Sequence, residues 1–155
     1  MNGELIKTYA LKANELLSSY VHLHNKILQA SGTLKSFKHI DFEQLYNDSA
    51  ILLNQSNFFN NELNAYKSKS FEKLSEDHKI YLNQLLAFTS KLNIMLQILE
   101  KRQFLLYKKS QGEGYNWNEY SSIEQQCKDS TEECKELIQA GFWLEAFLQL
   151  IFVKE

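Results

Sequence analysis

The chain has 155 residues, a formal net charge of -2, 44% hydrophobic residues and 23% charged residues. These are ordinary values for one globular domain over 1-155, large enough to bury a core without a metal or disulfide, and they exclude the broad basic surface that nucleic-acid binding requires. Proline is absent and there are only five glycines, so long unbroken helices are expected rather than many short strands.

The opening "MNGELIKTYALKANELL" lacks a basic segment followed by a continuous apolar run, so the expected location is cytoplasmic. Cys127 and Cys134 suit a reducing compartment. They stand two turns apart, about 10 Å along one helix, beyond the roughly 4.4–6.8 Å that a disulfide spans between Cα atoms. Among seventeen basic residues, only Arg102 is an arginine; that bias fits an AT-rich, bacterial source.

A first helix is predicted from Ile6, Tyr9, Ala13, Leu16, Tyr20, Leu23 and Ile27, which keep a 3-4 spacing. It should end near Ser31, with Gly32 as its cap. After a linker, Asp41 is placed to cap a second helix, with Gln44 completing a capping box and Ile40 and Leu45 a hydrophobic staple. The second seam runs Phe42, Leu45, Ser49, Leu52, Ser56, Phe59, Leu63, Tyr66, and its two serines make it the weakest. Ser70 or Ser75 starts a third helix with the seam Tyr81, Leu85, Phe88, Leu92, Met95, Leu99, Arg102, Leu106. "QGEG" at 111–114 breaks it. Asn116, with Glu119 three residues on, is set to cap a fourth helix. Its seam is Tyr120, Ile123, Cys127, Ser130, Cys134, Leu137, Gly141, Leu144, Leu148, Ile151.

Four such helices with short connections give an all-α, antiparallel up-down four-helix bundle. The long third and fourth helices exceed the first two by some eight residues, about 12 Å, and would project as a hairpin. Charge supports their pairing: Lys67 to Lys109 is predominantly basic, and Glu113 to Glu136 predominantly acidic.

Motifs that carry chemistry are scarce. A di-iron bundle needs Glu-x-x-His on two helices, and none occurs. His22 and His24, two apart on a helix, point to different faces; with His39 and His78 they read as surface or boundary histidines. No metal and no cofactor are expected. Cys127 and Cys134 lie on the seam and read as small buried hydrophobes. No phosphate-cradling glycine loop, nucleophile elbow or metalloprotease helix is found, so catalysis has no positive support. Arg102 stands where the third seam calls for an apolar residue. It either snorkels out near a bundle end or forms a buried polar site with a carboxylate. A cavity beside it would favour an enzyme or small-ligand-binding bundle using Tyr81 or Tyr107.

The segment from Leu137 to Val153 is the most apolar. Glu145 at its middle, with Gln139, Gly141 and Gln149, argues against a membrane span. Leu137, Leu144, Leu148 and Ile151 continue the seam, whereas Phe142, Trp143, Phe147 and Leu150 widen the apolar arc beyond what a bundle helix needs. Phe71 and Leu74 are placed to cover part of it. Trp117, in "YNWNEY", is a second candidate anchor. The leading expectation is a non-catalytic protein-binding module, an adaptor of the helical architecture that small secretion chaperones share. It would hold a partner helix or a second copy of itself through Phe142, Trp143, Phe147, Leu150 and Trp117. An immunity or antitoxin protein acting by surface complementarity is the other non-enzymatic alternative.

Overall fold

The computed structural model describes residues 2–31, 40–114 and 116–153. Helix α1 covers Asn2–Ser31, α2 Phe42–Ser70, α3 Glu76–Ser110 and α4 Trp117–Val153, with a 3-10 turn at Phe71–Lys73 between α2 and α3. No strand occurs among the described residues. The protein is an all-α helical bundle. The expected cap at Gly32, the linker residues 33–39 and His39 lie outside the described residues.

Helix starts follow the capping logic of the sequence. Asp41 Oδ1 accepts the Gln44 backbone N–H at 2.9 Å, satisfying one orphan donor of α2. The reciprocal half of the expected box does not form, because the Gln44 amide donates instead to Asp48, one turn ahead, at 2.7 Å. Ser75, not Ser70, starts α3: its Oγ accepts the His78 N–H at 3.3 Å, while the chain after Ser70 runs into the 3-10 turn. Asn116 Oδ1 accepts from the backbone of Asn118 at 2.9 Å and of Glu119 at 3.4 Å. Between α3 and α4 the chain reverses at Gly112, whose φ of 76° suits a residue without Cβ.

Cross-helix contacts set the directions. Lys12 meets Glu62 and Lys26 meets Asp48; Asn60 meets Thr89 and Asn93 meets Ser56; Lys91 meets Glu136 and Arg102 meets Glu124. In each pair of helices one number rises as the other falls, so successive helices run antiparallel. The opposite charges of α3 and α4 do face each other at two of these ion pairs. The helices have 30, 29, 35 and 37 residues, but the expected long projecting hairpin is reduced. Tyr46 stacks on Tyr107 with ring centroids 5.9 Å apart, so α2 reaches almost to the end of α3. Helix α2 begins four residues before Tyr46 and α3 ends three after Tyr107, so the two ends are nearly level.

All seven residues of the α1 seam are buried, as are Leu45, Ser49, Leu52, Ser56, Phe59, Leu63 and Tyr66 of α2. The two serines are not weak points. Ser49 Oγ donates to the Leu45 carbonyl at 2.8 Å, and Ser56 Oγ accepts from Asn93 at 3.1 Å. Asn93 also donates to Asn57 and accepts from Gln97, both at 2.7 Å, which satisfies polar groups that burial would otherwise penalise. Helix α3 buries more than its expected seam. Leu82, Leu86, Thr89, Asn93, Leu96 and Gln103 form further buried positions, because α3 forms the two largest interfaces of the bundle, with α2 and α4, and also meets α1. One seam suffices for a helix at a corner; a central helix needs a wider arc.

At Gly141 the α4 backbone comes close to side chains of α1 and α3. A Cβ there would stand 3.1 Å from Leu17 Cδ2 and 3.7 Å from the Phe88 ring. His78, expected at the surface or a boundary, is buried in the first turn of α3, its Nδ1 2.7 Å from Ser75 Oγ. Its place opposite Phe152 explains this, with ring centroids 6.2 Å apart. No helix of the described residues is long and apolar enough to cross a membrane.

Candidate functional site

Two features of α4 stand out, one at each end. In its C-terminal half Leu137, Leu144, Leu148 and Ile151 are buried along the seam, and the flanking aromatics then divide. Phe147 is half-buried against the core, its ring stacked on Tyr81 with centroids 6.0 Å apart. Phe152 is also partly covered, with the Lys7 ammonium 3.8 Å from its ring centroid. Leu74 is fully within the core and Phe71 packs against it, yet Phe142, Trp143 and Leu150 remain 73%, 77% and 61% exposed.

Seven residues apart, Trp143 and Leu150 share one outward stripe. Trp143 borders an open groove of about 680 Å³ between α3 and α4, lined by Gln84, Ala87 and Lys91 on one side and by Ala140, Leu144 and Phe147 on the other. The Lys91–Glu136 ion pair, at 3.4 Å, stands at one end of it. Phe142 stands about 100° around the helix from Trp143, towards the α1 side. Trp117 is exposed as well and packs against Tyr120 with ring centroids 5.9 Å apart. It lies about 40 Å from Trp143 along the helix axis. The five candidate anchors are therefore not one patch: Trp143 and Leu150 share a face with the edge of Phe147, while Phe142 and Trp117 point elsewhere.

The second feature surrounds Arg102. Its guanidinium is neither snorkelled free nor tightly packed. Nε donates to Glu124 Oε1 at 2.5 Å, with the two side chains 16% and 27% exposed. Beside this pair, at the junction of α1, α3 and α4, is a cavity of about 130 Å³. Tyr20, Ile27, Met95, Ile98 and Leu99 give it apolar walls, and His24, Arg102, Glu124, Cys127, Lys128 and Ser130 give it polar ones. The sequence placed Arg102 correctly as a seam irregularity but did not identify His24, Glu124 or Lys128 as its companions. The readable signal was the opposite charge of the two segments that meet here. Tyr81 and Tyr107 are not among the cavity walls: Tyr81 lies about 30 Å along α3 from Arg102, and Tyr107 stacks on Tyr46.

The electrostatics of the cavity follow from burial. Desolvation, helped by the Arg102 charge, lowers the His24 pKa and keeps its imidazole neutral. Desolvation also pushes the Cys127 thiol up to about 11; Arg102 opposes this and Glu124 adds to it. Tyr20 is raised as well, chiefly by burial, and is hydrogen-bonded to Cys134. Cys134 is core as expected, whereas Cys127 is half-buried at the cavity wall. Thiols that stay protonated near neutral pH are poor nucleophiles. Among the described residues no group of three or more His, Cys, Asp or Glu side chains is placed to hold a metal ion. What the site offers is a guanidinium, a neutral imidazole and an apolar floor, which suit binding.

No family model matches the chain, and no curated protein or solved structure shows significant similarity to it.

Proposed function

We propose that this is a non-catalytic helical-bundle binding protein, an adaptor or secretion-chaperone-like module of the bacterial cytoplasm. It holds an amphipathic helix, from a partner or from a second copy of itself, along the α3–α4 groove. The observation that carries this reading is Trp143, 77% exposed beside a groove with Ala87, Ala140 and Phe147 on its walls. A large exposed aromatic next to a concave apolar surface is how helix-in-groove recognition is built, and tryptophan is enriched among residues that dominate binding energy. Leu150 extends the same stripe by two turns, giving an incoming helix two anchors at heptad spacing.

The test exploits the exposure of Trp143. Sedimentation and light scattering over a range of concentrations report self-association, and Trp143→Asp should abolish it with an unaltered circular-dichroism spectrum. If the chain stays monomeric, a photo-crosslinking residue at position 143 in the native cell should give one discrete adduct, with none from the exposed Asn61 on α2. A monomer without a position-143 adduct defeats the proposal.

A further inference from the structure

We propose that the cavity at the α1–α3–α4 junction binds a small monocarboxylate with an apolar body, the carboxylate held by Arg102 and the body lying against Met95 and Leu99. This site is separate from the outer groove of α4 and stands whether or not that groove binds a helix.

Three observations lead there. First, the Arg102 guanidinium carries five N–H donors in a planar fork. One, on Nε, goes to Glu124, and the guanidinium makes no other hydrogen bond among the described residues. Yet the side chain is only 16% exposed. The other donors are not among the buried groups that lack a partner, so they keep contact with solvent and are free to turn to an acceptor in the cavity, above all one that accepts two parallel N–H bonds. Second, the cavity wall carries Arg102 and Lys128 against a single carboxylate, Glu124, while His24 stays neutral and adds no charge. The surplus is one positive charge, which Lys128 carries at the exposed rim, and it suits a monoanion. Third, the remaining wall is apolar, with Tyr20, Ile27, Met95, Ile98 and Leu99. The cavity's roughly 130 Å³ compares with an engineered apolar cavity of about 150 Å³ that admits benzene. One ring or a short aliphatic chain fits within it. Inorganic phosphate would satisfy the fork but leave the apolar wall unused.

Benzoate is the probe, titrated into the full chain while the Met95 methyl resonance is followed by NMR. The expected result is a saturable shift of that resonance with ligand-to-methyl nuclear Overhauser contacts. Benzyl alcohol, which lacks the charge, and inorganic phosphate, which lacks the body, should each bind at least about tenfold more weakly, the weight of one charge-assisted contact. Arg102→Gln should weaken benzoate binding to the same degree. Glu124→Gln should tighten it, because the competing carboxylate is gone. Cys127→Leu, which fills the cavity, should abolish it. No saturable perturbation of Met95 up to the solubility limit of benzoate overturns the proposal. So does equal binding of benzyl alcohol, or benzoate binding that survives Arg102→Gln. The comparison of the three probes uses the unaltered chain and decides the matter even where a variant fails to fold.

Discussion

From Trp117 to Ser130, α4 buries Ile123 and Ser130, with Glu124 and Cys127 half-buried; from Leu137 to Ile151 it buries four aliphatic residues and still leaves Phe142, Trp143 and Leu150 outside. The same helix, against the same neighbours α1 and α3, is short of apolar side chains at one end and oversupplied at the other. The shortage has a visible result, since small and polar residues leave space and Arg102 and Glu124 occupy its edge. The surplus has one too, since no bundle neighbour covers Trp143. Composition averaged along α4 would hide both. The position of each apolar side chain relative to the seam decides whether it fills the core, leaves a cavity or faces outward.

The contrast can be broken most severely by truncating the C-terminal seam. Leu148→Ala should cost about 2–5 kcal/mol, the range for a leucine removed from a packed core, whereas Ser130→Ala, beside an existing cavity, should cost under about 1 kcal/mol. Urea midpoints of the two variants provide the check. Similar losses would mean that the two ends pack alike. Next in size is Glu124→Ala, which leaves Arg102 largely buried without its carboxylate. Full burial of an orphaned charge would cost about 3–5 kcal/mol; with both partners reachable by solvent, about 1–2 kcal/mol is expected. Glu124→Gln, which keeps an acceptor, should cost less in the same urea measurement.

The cavity end also titrates. His24 has a folded pKa below its ordinary 6.5, so its contribution is present above pH 6.5 and is lost as the pH falls and the unfolded chain binds the proton. Cys127 is the reverse case. Its folded value of about 11 exceeds the ordinary 9.0, so its contribution is present below pH 9 and is lost as the pH rises towards 11. The urea midpoint should therefore fall on both sides of a plateau between pH 6.5 and 9. Cys127→Ala should lessen the alkaline fall and His24→Gln the acidic one. Leu148→Ala, at the other end, should lower the whole profile without changing its shape.

Much of this was readable from residue spacing. The α1 seam is buried at every expected position because α1 presents one face to the bundle. The caps at Asp41, Ser75 and Asn116 form because short polar side chains beside helix starts have few better partners. Spacing failed where a residue's environment comes from more than one neighbour. Gln103 is 1% exposed because α3 is surrounded, a fact of topology that a seam on one helix does not contain. Phe147 looked like a free anchor, yet it leans on Tyr81, sixty-six residues earlier. Arg102 was visible as an irregularity, but its cavity depends on which residues of α1 and α4 come level with it. His24, four residues after Tyr20 and three before Ile27, shares their α1 face by spacing, but nothing local shows that Arg102 and Glu124 come level with it.

The smallest effects on stability should come from the exposed stripe, and they discriminate most finely. Trp143→Ser and Leu150→Ser remove side chains that the core does not use, so each should change stability by no more than about 0.5 kcal/mol. Phe142→Ser should behave identically by that measure, since its exposure is comparable. Association is where the three should part. If the occupied surface is the groove towards α3, Trp143→Ser and Leu150→Ser weaken self-association or partner capture, and Phe142→Ser leaves it unchanged. An equal loss for all three would mean that the contact wraps the whole outer face of α4, including the α1 side. A loss for Phe142→Ser alone would move the interface to the α1–α4 side, where Leu17 already meets Gly141. Sedimentation of the three variants at one concentration separates these outcomes, because equal stabilities remove unfolding as the explanation for any difference.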